Sequence, residues 1–142
     1  MTQDDRARLL RLNRLEKIRD IAKQTAAREA AEAESTLSQL RALTDRTGRL
    51  AADYGARRGS VDGASLRTLA GFVDGLGKLT RTTQADAQRA EAIADAKLRM
   101  LGEAERRRAA VEERARLHKQ LISRASETPA LGSRKPNGTD LE

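Results

Sequence analysis

Few residues in this chain combine the type and spacing that catalysis needs. His118 is the only histidine and there is no cysteine, so a two-histidine metal site, a thiolate site and a disulfide are all excluded. The run Gly71-Phe-Val-Asp-Gly-Leu-Gly-Lys78 has the look of a phosphate loop. However, Gly71 to Gly77 encloses five residues where that motif has four, and Leu79 stands where a Ser or Thr must reach magnesium. A serine–histidine–acid triad needs a strained turn on a rigid sheet, and no segment reads as a strand. Glu103, Glu105, Glu112 and Glu113 alternate with arginines, the pattern of a solvated helix face. The sequence thus offers no catalytic residue, no metal ligand set and no cofactor cradle, and a non-enzymatic protein that works by binding other proteins is expected.

The elements that carry these residues are set by composition and period. Hydrophobic residues make up 38% and charged ones 35% of the 142, while Tyr54 and Phe72 are the only aromatics. Apolar content that is mostly Ala and Leu favours long helices with a narrow seam over a thick globular core. Helical signals begin at Asp4 and Asp5, which suit the positive end of a helix dipole. They continue without proline to Tyr54, and only Gly48 interrupts. An apolar stripe runs through Leu12, Leu15, Ile18, Ala22, Ala26, Ala30, Ala33, Leu37, Leu40, Thr44, Thr47, Ala51 and Tyr54. Its step from Ala22 to Ala26 reads as a stutter, a local unwinding of the supercoil.

Residues 55–63 hold three glycines, the one strong interior turn signal, and Ser60, Asp62 and Ser65 are each candidates to cap the second helix. From Leu66 to Ala125 a single heptad frame has eighteen seam positions, thirteen of them apolar. Gly71, Gly75 and Gly77 weaken its opening turns by roughly 1 kcal/mol each relative to Ala. Past residue 125 two prolines, two glycines and no period predict a disordered tail, 126–142. The expected fold class is all-α: an antiparallel coiled-coil hairpin over 1–125, with helix 1 about 5–54, a loop about 55–63 and helix 2 about 64–125.

Charge is unevenly placed. The net is +7, of which residues 1–30 carry +3 and residues 97–125 carry +5. A hairpin lays these two segments side by side, giving a basic half that bears both termini and attracts an acidic partner. Its cations are Arg6, Arg8, Arg11, Arg14, Lys17 and Arg19 from helix 1, with Arg106, Arg107, Arg108, Arg114, Arg116, Lys119 and Arg124 from helix 2. Nucleic-acid modules usually add stacking aromatics or a recognisable motif, and neither is present, so no nucleic acid is expected. A basic rod binding nucleic acid and a dimerising structural coil are the alternatives. Phe72 lies just outside the seam frame, either packed across the hairpin or serving as an exposed anchor for a partner. Lys97, Arg108 and His118 fall on the seam and are expected to fix register and snorkel outward. No run approaches the ~18 apolar residues of a membrane span, and the opening lacks a signal-peptide core, so a cytoplasmic protein is expected.

The landmarks together resemble the FliJ family, soluble proteins of the bacterial flagellar type III export apparatus. The resemblance covers roughly residues 6–125. It rests on the opening Arg8-Leu-Leu-Arg-Leu-Asn-Arg-Leu15, an Ala/Glu-rich first helix ending at a tyrosine, and a Gly/Ser loop. Next come Leu69-Ala-Gly-Phe72-Val-Asp-Gly-Leu76 and an Arg-rich close with Leu117 and Leu121. The resemblance implies a two-helix stalk whose terminal end enters the pore of a hexameric export ATPase and promotes its assembly and activity. It also implies contact with the export-gate membrane protein and with export chaperones, and peripheral association with the inner membrane through those partners. By position the gate-binding stripe is Phe72, Leu76, Leu79 and Thr83, the last two standing where the family has a small residue and a histidine. The ATPase-binding surface falls on Arg8, Arg11, Arg14, Arg106, Arg107, Arg114, Arg116 and Lys119. A stiff asymmetric body in a six-fold ring touches only some subunits at once, and so biases the ring by differential affinity. A stalk of the related virulence injectisome has the same pattern.

Overall fold

The computed structural model describes residues 2–57 and 62–132, with side chains as far as 127. Two helices account for nearly all of them, α1 (Gln3–Ala56) and α2 (Gly63–Gly132), and they pair antiparallel as a hairpin. Each has a side-chain cap. The Thr2 hydroxyl accepts from the Asp5 backbone N–H at 3.2 Å, and the Thr2 N–H donates back to the Asp5 carboxylate at 3.2 Å, a reciprocal box at the start of α1. Asp62 takes the corresponding place for α2. Its carboxylate accepts from the Ser65 N–H at 2.8 Å, and its carbonyl receives the Leu66 N–H at 3.0 Å. Of the other two candidates, Ser65 is the recipient of the cap, and Ser60 lies outside the described residues. Helix α1 runs on to Ala56 and α2 begins at Gly63, slightly beyond the expected bounds, and residues 58–61 of the expected loop are likewise outside the described residues.

The heptad frame of α2 holds. Sixteen of its eighteen positions are buried or half-buried, the exceptions being Leu66 and Ala125 at its ends. The stutter expected in α1 does not occur. Counting back in sevens from Tyr54 and Ala51, every position to Asp5 is buried or half-buried, and the frame passes through Lys23, Arg19 and Glu16. Ile18, 60% exposed, and Ala22 fall off it. The cause is the partner: α2 offers an unbroken period, and α1 keeps every seam position opposite it only by staying in phase. The apolar stripe of the sequence loses to that continuity.

A second difference lies at the far end, where α2 extends through 126–132 and the expected tail does not begin at 126. Loss of seam period at Ala125 does not end the helix: Ser126 and Glu127 are exposed yet helical, and the Ser126 hydroxyl donates to the Ser123 carbonyl at 2.8 Å. Residues 133–142 lie outside the described set.

The chain forms two compact sectors: a terminal one, the described residues up to Gln24 with those from Gly102 onward, and a central one, Thr25–Leu101. In the central sector Leu37, Ala90 and Ala94 form the core, with Ala33 and Leu40 packed on it and Ala94 wholly enclosed. Small side chains dominate this part of the seam, where Ala30, Ala87, Ala90 and Ala94 are all buried. Towards the loop the seam turns to threonine. The Thr47 and Thr80 hydroxyls meet at 3.0 Å; Thr47 donates to the Thr44 carbonyl, leaving a lone pair for Thr80, whose single proton is shared between Thr47 and the Leu76 carbonyl at 2.8 Å. Ion pairs Lys97–Glu29 at 3.1 Å and Arg41–Glu91 at 3.6 Å flank the core. No described helix is long and apolar enough to cross a membrane.

Candidate protein-binding surfaces

Two clusters of the expected site residues come from different sectors. In the central sector, near the loop, Phe72 stands edge-on to Tyr54, ring centroids 5.0 Å apart at 82°, and the Arg57 guanidinium covers the Tyr54 ring at 4.8 Å. Phe72 is nevertheless 50% exposed. It packs across the hairpin on one edge and leaves the other exposed to solvent. With Tyr54, Arg57, Ala64, Ser65, Thr68 and Leu69 it lines an open groove of about 620 Å³.

The stripe running on from Phe72 does not stay on the surface. Leu76 is half-buried, Leu79 is exposed, and Thr83 is buried at 5%, donating its hydroxyl to the carbonyls of Leu79 or Thr80. Thr83 is thus corrected from a contact residue to a seam residue. Phe72 and Leu79, seven residues apart, share a heptad position just outside the α2 seam, whereas Leu76 and Thr83, also seven apart, share a position in it, so the stripe alternates between surface and seam.

In the terminal sector all eight expected cations, Arg8, Arg11, Arg14, Arg106, Arg107, Arg114, Arg116 and Lys119, are exposed. They do not share one face. Arg8, Arg11, Arg107 and Arg114 lie along one flank of the helix pair, Arg14 and Arg106 point outward, and Arg116 and Lys119 lie on the opposite flank, by their places in the two heptad frames. Arg116 is also engaged: it forks onto the Glu113 carboxylate, which holds the guanidinium even more firmly protonated than usual.

The seam between these flanks is unusually polar. Lys23 reaches Glu105 at 3.4 Å, and Arg108 pairs with Glu112 at 3.2 Å while its Nε, like that of Arg19, is buried without a partner. His118 is buried, and because a carbonyl only accepts, its Nε2 donates to the Asp5 carbonyl at 3.2 Å. Of the three polar seam residues expected to fix register, Lys97 and His118 make cross-helix bonds, while Arg108 bonds along its own helix. Leu10, Ile18, Ile21, Leu117 and Leu121 are 47–62% exposed in this sector. Extending the α1 frame back from Tyr54 would have exposed Leu10, Ile18 and Ile21, while Leu117 and Leu121 already fall off the α2 frame that the sequence shows. No group of three or more potential metal ligands occurs among the described residues. No protein-family model, curated protein or solved structure matches the chain.

Proposed function

We propose that this chain is a coiled-coil stalk of a bacterial flagellar type III export apparatus, without chemistry of its own, that docks its terminal sector into a hexameric export ATPase. The observation that carries the reading is the composition of that sector. Helix segments from near both termini lie side by side there, and eight exposed cations surround them. Such a body suits an acidic pore, where long-range attraction speeds encounter and asymmetric contact biases the ring. The groove-lining Phe72, with Leu76 and Leu79, forms the surface proposed for the export gate, and the order of landmarks along the chain supports the same family. Membrane association and delivery of export chaperones would be indirect, through these partners.

Recovery of partners from the native host tests this. Capture of a hexameric secretion ATPase, together with faster ATP hydrolysis when the purified chain is added, is the expected result. Capture of an injectisome ATPase would move the stalk to the related system. Recovery of nucleic acid alone, with binding that falls steeply as salt rises, would overturn the reading.

A further inference from the structure

The terminal sector is two-faced, with apolar and basic side chains on one flank and acids on the other. On one flank the α1 frame sets Leu15, Ile18 and Ala22 in line with Arg8 and Arg11, and α2 answers with Ala110, Leu117 and Leu121 beside Arg107 and Arg114. Arg8, Leu12, Arg114, Leu117, His118 and Leu121 already line a common furrow of about 350 Å³. Ile18, Leu117 and Leu121 remain 60%, 47% and 61% exposed, although polar Arg19, Lys23 and Glu16 occupy the seam. The sequence has placed apolar side chains where a third partner would cover them and charged ones where the two-helix seam would bury them. The acids gather on the other flank, at Asp20, Glu105 and Glu112, while Asp4 and Glu103 stand at the two ends of the furrow side.

From this we infer that the flank is a docking furrow for an acidic amphipathic helix of a partner protein, one with Leu or Ile at seam spacing bordered by Asp or Glu. The inference rests on the proposed docking of the terminal sector to an acidic partner and specifies the chemistry of that contact. A second copy of the chain is disfavoured because basic rim would face basic rim. A lipid surface meets convex outer faces, whereas here the apolar side chains border a furrow between helices, which a row of side chains can enter. The guanidinium groups then close over the flanking carboxylates.

The probe is a labelled helical peptide of Leu/Glu heptads, titrated into the full chain by fluorescence anisotropy. A Leu/Lys peptide and vesicles of mixed phosphatidylglycerol and phosphatidylcholine serve as comparisons. Leu117→Glu and Leu121→Glu act in the furrow; Leu10→Glu, on the other flank and 58% exposed, changes net charge equally. Circular dichroism confirms that each variant folds. The expected outcome is binding of the acidic peptide alone, weakened about tenfold or more by either furrow variant and unchanged by Leu10→Glu. Equal weakening by all three, no binding of the acidic peptide, or tighter binding of the vesicles would overturn the inference. Capture of the ATPase by a chain that ignores the peptide would remove the furrow and leave the stalk reading standing; peptide binding without ATPase capture would do the reverse.

Discussion

At the residue scale, some side chains occupy places their chemistry resists. Arg108 lies in the terminal seam with its Nε buried and unpartnered while its terminal nitrogen reaches Glu112 on the same helix. A buried donor without an acceptor costs roughly 1–3 kcal/mol, and a partly exposed intrahelical ion pair returns only a few tenths. Arg108→Leu is therefore expected to raise stability by about 1 kcal/mol in urea unfolding, with an unchanged slope. A destabilised variant would mean that the arginine stem and its pair do more for the seam than leucine can. Phe72 presents the opposite balance. Its edge contact with Tyr54 is worth about 0.5–1.5 kcal/mol, yet half of its surface is already in water. Phe72→Ala should leave helicity intact and lower the melting temperature by only a few degrees. Collapse of the helical signal would show that the aromatic pair holds the loop end together.

At the element scale, the two helices owe their ends to capping and their phase to each other. Gly71 and Gly75 sit in helical turns of α2 with open space where a Cβ would stand. Changing both to Ala should add about 1 kcal/mol each, read as a later urea midpoint, since alanine loses less backbone entropy in a helix. Asp62 gives the start of α2 a pH dependence. Hydrogen bonds from the Ser65 backbone and then its side chain hold its carboxyl below the ordinary carboxylate value. A depressed carboxyl stabilises the fold above its unfolded pKa, and that contribution fades as acid carries the pH down through the lowered folded value. Asp62→Asn, which still accepts a hydrogen bond, should flatten the acid limb of a pH-melting curve and leave neutral stability nearly unchanged; an identical acid limb would show that the cap does not titrate with folding. How far the elements were legible depended on which signal was local. The α2 frame could be read because its own residues carry it for eighteen positions. The phase of α1 before Ala26 could not, because Ile18 and Ala22 spell a local stripe that pairing with α2 overrules. The extension past residue 125 was not legible for a related reason, since period reports packing and says nothing about a helix that continues beyond the seam.

At the scale of the whole molecule, hairpin topology is what puts basic segments from near both termini into one sector, and the stalk and furrow proposals both depend on it. The candidate surfaces were only partly legible for the same reason. The cations were plain in the sequence, and Thr83 already fell on the α2 frame, but the division of the cations between two flanks and the apolar furrow emerge only when two frames are laid against each other. Topology can be tested independently of function because the chain has no cysteine of its own. Ala33 packs against the central core that contains Ala94, and both side chains are a single methyl, so cysteines at the two positions are expected to come within disulfide reach inside one chain. Mild oxidation of the Ala33→Cys, Ala94→Cys pair should give an internal crosslink. The product should keep the mass of a monomer and migrate faster than its reduced form in a denaturing gel. It should also melt higher, by about 3–4 kcal/mol of stabilisation, because the bond closes a loop of some sixty residues in the unfolded chain. Two helices paired within one molecule give this result at any protein concentration. A parallel or domain-swapped dimer would instead yield a crosslinked species of twice the mass whose proportion rises with concentration, and the basic sector would then have to be rebuilt from two chains.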